Sequence, residues 1–317
     1  MFCKLCKKIS KKKIIKTRSK KKKILFYCID CDFEFFKFNP DTNLKKNKLD
    51  ISRLQKAGLK IPTRNQDFLN GLEQSKLHIK KFLNVKKKFK ILEVGCSWGY
   101  FLYLTKKKGH ESYGLELNKS RISFVEKKLK IACKSNLDYY ENNHYKFDRI
   151  FLFYSFEYIN DPLTFISRLY KILNKNGQII MLTPNKNDLL KKTLQINSYN
   201  NFFYDDNSVN YFSVGSLKKI VSLSKIKRFS VKLEQGYSIV NFFNWFNFNK
   251  PFFTGFVGED KFEDKTINHL SMNLKNKTPY NGAIKALIKL IKKSSFSYKN
   301  LAIKNKLANK IILKIFK

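Results

Sequence analysis

The sequence predicts an α/β protein in which a small N-terminal metal-binding module precedes a larger domain built on a mainly parallel sheet. Three observations lead to this prediction: two CxxC pairs near the N-terminus, a glycine-rich turn that follows a short apolar strand, and apolar strands that alternate with helical patterns from residue 89 to about 245. The 317 residues, 43% of them apolar, suffice for one large core with smaller appendages.

The first predicted element is the metal-binding module, residues 1–40. The sequence CKLC is followed after 21 residues by CIDC. Each CxxC turn supplies two thiolates, and two such turns provide the four soft ligands that zinc binds as a tetrahedron. A redox motif would need one pair at a helix start, not two pairs. The predicted zinc ligands are Cys3, Cys6, Cys28 and Cys31, in a closed site with a structural role.

The composition of the chain indicates where the protein is located and which partners it can bind. The sequence has no signal-peptide pattern and no apolar stretch that could span a membrane, so we expect a cytoplasmic protein in which cysteines bind metal and do not form disulfides. The formal net charge is +41, but only seven of the 65 basic residues are arginine. This favours a solvated lysine coat over sequence-reading contacts. Nucleic acid, an anionic membrane and an acidic substrate stay open as partners.

Residues 41–88 are predicted to be a helical connector. Within it, Asp67 to Val85 spaces its apolar side chains mostly as one face of a helix, which would cover the sheet.

A strand, a turn, a helix and a second strand follow in close succession. Ile91 to Val94 predicts the first strand, Gly95 to Gly99 the turn, Tyr100 to Lys108 the helix, and Ser112 to Leu117 the second strand. This is a β-α-β unit with a glycine turn at the carboxyl end of its first strand, where open α/β sheets bind ligands.

The residues around this turn suit a cofactor that has ribose hydroxyls and no phosphate. Gly95 and Gly99 let the backbone approach a ligand closely. Glu116 ends the second strand, where a carboxylate can accept two hydrogen bonds from a ribose diol. Glu93 suits a positively charged ligand group, and the helix start after Gly99 offers N–H groups to a carboxylate.

The stretch EVGCSWG, which contains these residues, resembles motif I of the class I S-adenosylmethionine-dependent methyltransferases. The resemblance covers about Phe89 to Asn185 and implies a Rossmann-like, seven-stranded sheet with S-adenosylmethionine as cofactor. Ser97 stands where the motif has its middle glycine. The tract Phe156-Glu157-Tyr158 stands where the family usually has LEH, so no role of that histidine is transferred.

Two other kinds of binding or catalytic turn are less favoured alternatives. The dinucleotide fingerprint requires GxGxxG, which this chain lacks. The spacing also matches GxSxG, the nucleophile elbow of α/β-hydrolases, with Ser97 as nucleophile. A hydrolase would need a later histidine, and would place several strands before the elbow; His269 alone lies late enough.

Further strands are predicted at Ile131 to Cys133, Phe147 to Phe153 and Gln178 to Thr183, with a helix from Pro162 to Leu173. Polar residues after the third strand would meet the adenine, and Tyr154 would lie beside the methyl donor. Cys96 is a small side chain under the turn. The predicted cofactor-binding residues are Glu93, Gly95, Cys96, Gly99, Glu116, Leu117, Asn136, Leu137 and Tyr154. The weak catalytic candidates are Tyr154 and, by elimination, His144.

The C-terminal third is less regular. Residues 201–216 are expected to be an insertion over the mouth of the active site. Within and just after it, Tyr211-Phe212-Ser213 and Ser216-Leu217 resemble a segment that usually caps the family's substrate pocket. The acceptor-side candidates are therefore Tyr204, Asp205, Asp206 and Tyr211; a surface loop without a role is the alternative. Phe229 to Glu234 and Tyr237 to Phe243 are expected to be the closing strands. Residues 246–317 are predicted to be a basic helical extension, which packs on its own domain or lies on an anionic membrane surface.

The predicted function is methyl transfer from S-adenosylmethionine to a hydroxyl of a sugar or small metabolite. The acceptor class follows from a resemblance to methyltransferases encoded with cell-surface polysaccharide enzymes that carry the same double-CxxC module. The alternatives are an RNA methyltransferase and a cofactor-binding protein without catalysis.

Overall fold

The computed structural model describes residues 1–38, 64–83, 86–194, 197–249 and 281–317, which form two sheets. A four-stranded antiparallel sheet contains β1 (Lys11–Lys16), β2 (Lys22–Cys28), β3 (Phe33–Phe36) and β9 (Asn210–Tyr211). A seven-stranded sheet contains β4 (Lys90–Val94), β5 (Glu111–Leu115), β6 (Ala132–Lys134), β7 (Phe147–Phe153), β8 (Leu173–Pro184), β10 (Phe229–Glu234) and β11 (Lys310–Phe316).

The large sheet has the strand order β10-β11-β8-β7-β4-β5-β6. The five strands from β8 to β6 are parallel, and β11 is antiparallel to both β8 and β10. Neighbouring residues of one strand belong to different core clusters; Phe151, for example, packs in one cluster and Leu152 in the other. The sheet is therefore buried on both faces, as parallel sheets require. The predicted seven-stranded α/β fold is confirmed.

Helices connect the strands, and several of them begin after a residue whose side chain satisfies their first N–H groups. The side chains of Asn118, Asp161 and Ser213 accept hydrogen bonds from the first turns that follow them. The helices are α1 (Arg64–Phe82), α2 (Tyr100–Lys107), α3 (Lys119–Leu129), α4 (Asp138–Asn142), α5 (Pro162–Lys171), α6 (Asn197–Phe203), α7 (Val214–Leu223), α8 (Ile239–Phe248) and α9 (Asn281–Lys304).

Helix α1 covers the sheet, as predicted for the connector. Ile79 and Leu83 are buried in one core cluster, and the His78 ring stacks on Phe153 with a centroid distance of 4.0 Å. None of the helices in the described ranges is long and apolar enough to cross a bilayer.

The prediction for the end of the sheet was wrong in two places. The expected strand Tyr237 to Phe243 lies mostly in α8, which begins after the side-chain cap of Ser238. The last strand is instead β11, in the segment expected to be helical, and it pairs Ile311 with Thr183 of β8. A short apolar run such as KIILKIF fits a buried strand and a helix equally well by periodicity, so only its pairing decides. The domain boundaries at residues 40, 88 and 245 stay predictions.

The N-terminal sheet is joined to the rest of the protein by β9. Strand β3 pairs with it, Glu34 opposite Tyr211. The buried Glu34 carboxylate accepts hydrogen bonds from Lys191 Nζ at 2.9 Å and from Tyr204 Oη at 2.8 Å, and Lys186 Nζ lies 3.8 Å away. Burial alone would raise the pKa of Glu34, but the two lysines lower it to about 2.

We expect Glu34→Gln to lower the free energy of unfolding by about 3 kcal/mol, because it leaves a buried lysine without its counter-ion. Since the pKa of Glu34 is lowered from 4.5, the stabilisation is present above pH 4.5 and is lost as the pH falls through about 2. Denaturant unfolding at neutral pH measures the change. Glu111→Gln is the matched control, because that side chain is 56% exposed and its replacement should cost under about 0.5 kcal/mol. Equal losses in both variants would contradict the prediction.

Candidate functional site

The turn after β4 contains three residues in left-handed conformations: Gly95 (φ 74°), Ser97 (φ 52°) and Gly99 (φ 73°). Ser97, at the motif's middle glycine, thus adopts a conformation that glycine adopts without strain. A Cβ on Gly95 would lie 2.7 Å from Ser155 Cβ, at the end of β7. A Cβ on Gly99 would lie 2.9 Å from Val125 and Leu129 side chains of α3. The glycines are therefore required by packing around the turn.

Glu116, directly after β5, organises this turn. Its side chain is buried, and it accepts hydrogen bonds from the backbone N–H groups of Ser97, Leu117 and Asn118, each at 2.9 Å. Arg121 Nη1 lies 3.9 Å from Oε2. An ionised carboxylate accepts about four hydrogen bonds, so the backbone fills most of its capacity. A ribose diol would take the remaining position and replace at least one backbone donor.

Two buried polar atoms beside the turn have no hydrogen-bond partner within the described residues: Glu93 Oε2 and Ser155 Oγ. Burial raises the pKa of Glu93 well above its usual value, and the neighbouring Cys133 and Glu116 raise it further. Buried polar atoms are nearly always satisfied in native structures, so a group bound at the turn would account for both atoms. For Glu93, a cationic group satisfies both the oxygen and the charge.

The structure places the other predicted cofactor residues around the carboxyl edge of the parallel strands. The Cys96 side chain points into the core, with Sγ 3.7 Å from Cys133 Sγ, so only its backbone faces the turn. Leu117 is exposed, whereas Leu137 is buried. Asn136 is exposed and accepts a hydrogen bond from the N–H of Tyr139 at 3.3 Å.

A cavity of about 410 Å³ adjoins the turn through Tyr154, which directly precedes Ser155 at the end of β7. Its walls come from the end of β8, the segment from α6 to β9, the β1–β2 turn and the residues before α8 and β11. The lining residues are Arg18, Tyr154, Glu157, Tyr158, Thr183, Pro184, Asp188, Tyr199, Phe202, Phe203, Asp205, Ser208, Asn210, Tyr211, Tyr237, Asn309 and Lys310.

Two buried carboxyl groups in this pocket have shifted pKa values. Burial raises the pKa of Glu157 to about 8, and the nearby Asp205 adds to the shift. Thr183 Oγ donates to Glu157 Oε2 at 3.3 Å. Burial raises the pKa of Asp188 only to about 6, because the Tyr199 hydroxyl and the N–H of Lys191 donate to it. Of these two, Glu157 is therefore the acid with the less stabilised carboxylate.

The acceptor-side candidates divide into two pairs. Asp205 and Tyr211 line the pocket. Tyr204 and Asp206 instead bind the N-terminal sheet, through Glu34 and through the Thr17 hydroxyl at 2.5 Å.

The sequence reasoning missed Glu157, Asp188, Arg18 and Lys310 as pocket residues. The sequence does contain a signal for Glu157, because its tract Phe156-Glu157-Tyr158 stands where the family usually has LEH. Arg18 had none, because it lies in a lysine-rich loop 136 or more residues before the rest of the pocket lining. Its guanidinium carbon lies 4.3 Å from the Phe202 ring centre, and its Nε donates to the Phe202 carbonyl at 2.8 Å.

The prediction of His144 as a catalytic candidate has to be corrected, because the side chain lies far from the pocket. It is exposed and precedes the amino end of β7, whereas the pocket lies at the carboxyl end of that strand. In a parallel sheet these are opposite edges, so the side chain cannot reach the pocket.

The four N-terminal cysteines come together in one cluster. Their sulfur atoms all lie within 4.8 Å of one another, and Cys6 Sγ lies 3.6 Å from Cys28 Sγ. Zinc bound to four thiolates at about 2.3 Å separates the sulfurs by about 3.8 Å. The N–H of Leu5 also points to Cys3 Sγ at 3.4 Å. The cluster has the chemistry and the size of a zinc site.

Comparison with known proteins identifies the larger domain. A family model described as "Methyltransferase domain" matches residues 51–223, more than half of the chain. An uncharacterised protein of Methanocaldococcus jannaschii is 30% identical over 155 residues, which are 48% of this chain and 64% of that protein. The chain thus spans less than two thirds of this relative.

Two solved structures are similar in part. A SAM-dependent methyltransferase from Archaeoglobus fulgidus has a TM-score of 0.49 and 17% identity, with 80% of this chain and 97% of that chain covered. Phosphoethanolamine N-methyltransferase 2 from Haemonchus contortus has a TM-score of 0.44 and 14% identity, with 77% and 52% covered. Both scores are below 0.5, so the family assignment rests on the match of residues 51–223.

Proposed function

We propose that this chain, which belongs to the methyltransferase-domain family, binds S-adenosylmethionine at the turn after β4 and methylates a small acceptor held in the adjoining pocket. The observation that carries the proposal is a pair of buried atoms, Glu93 Oε2 and Ser155 Oγ, that have no hydrogen-bond partner among the described residues. Ser155 directly follows the pocket residue Tyr154. A polar group with positive charge, bound beside the turn, would satisfy both atoms.

The residues around the turn fit this cofactor. Glu93 would hold its cationic end, Glu116 its ribose hydroxyls, and the N–H groups at the start of α2 its carboxylate. Asn136 and Leu117 would lie beside the adenine. When bound, S-adenosylmethionine supplies a methyl group that is already activated, so the protein has mainly to align the acceptor.

Glu157 is the group that we assign to the acceptor's proton. It lines the pocket three residues after Tyr154, and its pKa of about 8 lies close to physiological pH, where a general base works best. Asp188 is less suited, because Tyr199 and Lys191 already donate to its oxygens. Asp205 is paired with Arg18 at 3.7 Å. Tyr154, the other predicted catalytic residue, would position the acceptor.

The lining of the pocket supports an acceptor with apolar faces and several hydroxyls. Phe202, Phe203 and Tyr211 contribute aromatic rings, and Ser208 and Asn309 contribute polar side chains. Sugars combine these two properties, so a hydroxyl of a sugar or small metabolite remains the proposed acceptor. A screen with labelled S-adenosylmethionine over oligosaccharides, nucleotide sugars and RNA tests this assignment, and transfer to RNA alone would overturn it.

The cysteine cluster is proposed to hold one structural zinc ion. Four thiolates close the coordination sphere and leave no position for a substrate. The cluster ties the two CxxC turns together at the base of β2 and β3, and the β1–β2 turn carries Arg18 to the pocket. Zinc would therefore fix one wall of the acceptor site.

Calorimetric titration with S-adenosylmethionine tests the proposed function. We expect Glu116→Ala to weaken binding at least about 100-fold, because the variant loses a charged acceptor and the turn that it orders. Glu111→Ala, at the amino end of the same strand β5, should bind as the intact protein does. An intact protein that binds no cofactor would refute the proposal. Glu93→Gln provides a second variant that keeps the shape of the site and removes only the charge.

A further inference from the structure

Helices α8 and α9 pack on each other and expose large apolar side chains. The rings of Phe242 and Tyr298 lie 5.8 Å apart at their contact. Eight of the nineteen large apolar side chains exposed by the described residues lie on these two helices. They are Phe243, Phe246, Phe248, Leu287, Leu290, Phe296, Leu301 and Ile303, with exposures from 40% to 67%.

The exposed side chains on α9 are additional to the face that packs inward. Its buried residues Ser295, Tyr298 and Ala302 recur at spacings of three and four. Leu287, Leu290 and Leu301 are spaced three and eleven residues apart, which places them on a separate stripe of the same helix. Within the part of the chain that the structure describes, this stripe does not belong to a core cluster.

The same region is strongly basic. Residues 281–317 contain ten lysines and no aspartate or glutamate, and α8 contains no charged residue. Lys285, Lys289, Lys292 and Lys293 are all exposed on α9. Exposed leucine and phenylalanine beside lysine on an amphipathic helix is the composition of helices that lie in the interface of an anionic bilayer.

We propose that the exposed residues of α8 and α9 form a lipid-docking face, which binds the surface of a membrane that contains anionic lipids. The lysines would be attracted by the headgroup charge, and the phenylalanine and leucine side chains would enter the boundary with the acyl chains. An acidic protein or a nucleic acid would satisfy the lysines but not the apolar side chains. The lipid surface is the partner that uses both.

The two helices that carry the lipid-docking face are each followed or preceded closely in the chain by a residue of the pocket. Tyr237 lines the pocket and lies two residues before α8 begins, and Asn309 lines it five residues after α9 ends. Docking would thus bring the pocket close to the membrane surface. The docking itself does not depend on the proposed methyl transfer and can be measured without cofactor or acceptor.

Sedimentation of the full chain with vesicles tests the docking. We expect binding to vesicles of phosphatidylcholine mixed with phosphatidylglycerol, and little binding to phosphatidylcholine alone. Lys289→Gln, Lys292→Gln and Lys293→Gln together should weaken binding about 100-fold, since each surface lysine contributes about tenfold or less. Phe246→Ser with Leu290→Ser should weaken it by a similar factor through loss of apolar burial.

Two matched controls are available on exposed N-terminal positions. Lys11→Gln, Lys12→Gln and Lys13→Gln remove the same charge from β1, and Phe2→Ser with Ile14→Ser removes side chains that are 65% and 73% exposed. Both should bind as the intact protein does. Absence of binding to anionic vesicles, or equal loss in the controls, would overturn the proposal. So would loss in the lysine variant without loss in the apolar variant, which would indicate a charged partner without a lipid interior.

Discussion

Replacing Glu157 by glutamine is expected to slow methyl transfer by about 10²- to 10⁴-fold while leaving cofactor affinity unchanged. The amide fills the same buried space and still accepts from Thr183, but it cannot take the acceptor's proton. Single-turnover rates with the acceptor found by the labelled-methyl screen measure the loss, and calorimetry with S-adenosylmethionine measures the affinity.

The pH dependence gives this prediction a second readout. Burial raises the pKa of Glu157 to about 8, and a base works only in its unprotonated form. The rate of the intact protein should therefore rise with pH and level off above about 8, and Glu157→Gln should not show that rise.

Glu111→Gln makes the same chemical change at the opposite edge of the sheet and should keep the full rate and its pH profile. Glu157→Asp should retain part of the pH-dependent rise, because the acid is kept and only shortened. A Glu157→Gln variant with unchanged rate would remove this residue from the mechanism and leave cofactor binding at the turn unaffected.

Removing metal from the cysteine cluster is expected to have the largest effect on the N-terminal sheet. Zinc binding to four thiolates contributes on the order of 10 kcal/mol to the folding of such small modules. Cys3→Ser with Cys6→Ser should therefore abolish zinc binding and unfold β1 to β3. The pocket would lose Arg18, so acceptor affinity should fall, whereas S-adenosylmethionine affinity should persist because the turn after β4 lies in the other sheet.

Metal analysis should find one zinc per intact chain and none in the double variant. Cys133→Ser is the control for metal content, because its sulfur lies beside Cys96 in the core and not in the cluster. A native protein purified without metal, or a double variant that retains zinc, would contradict the assignment. Loss of S-adenosylmethionine binding together with zinc would show that the two sheets unfold together.

The β-α-β unit and the cysteine pairs could be predicted because their signals are local. A short apolar strand, a turn with Gly95 and Gly99, and an amphipathic helix follow each other within twenty residues, and each is encoded by its own spacing. The prediction of Glu116 at the end of β5 came from the same pattern. The structure adds that Glu116 also ties the turn to the end of β5, because it accepts hydrogen bonds from the N–H of Ser97 in the turn and from those of Leu117 and Asn118.

The last strand and the pocket could not be predicted in this way. KIILKIF is compatible with a helix or with a buried strand, and its place between β8 and β10 depends on hydrogen bonds to residues about 130 and 80 positions earlier. Arg18, Glu157 and Lys310 likewise meet only because β9 joins the N-terminal sheet to the larger domain and β11 closes the sheet.

The sequence by itself thus determined the fold class, the family motif and the candidate zinc ligands, because turns, periodicities and CxxC spacing are properties of neighbouring residues. Only the tertiary structure decided which side chains line the acceptor pocket and which carboxyl group has a pKa near neutrality. Both depend on burial by segments distant in the chain, since the pKa of Glu157 is raised mainly by loss of contact with water.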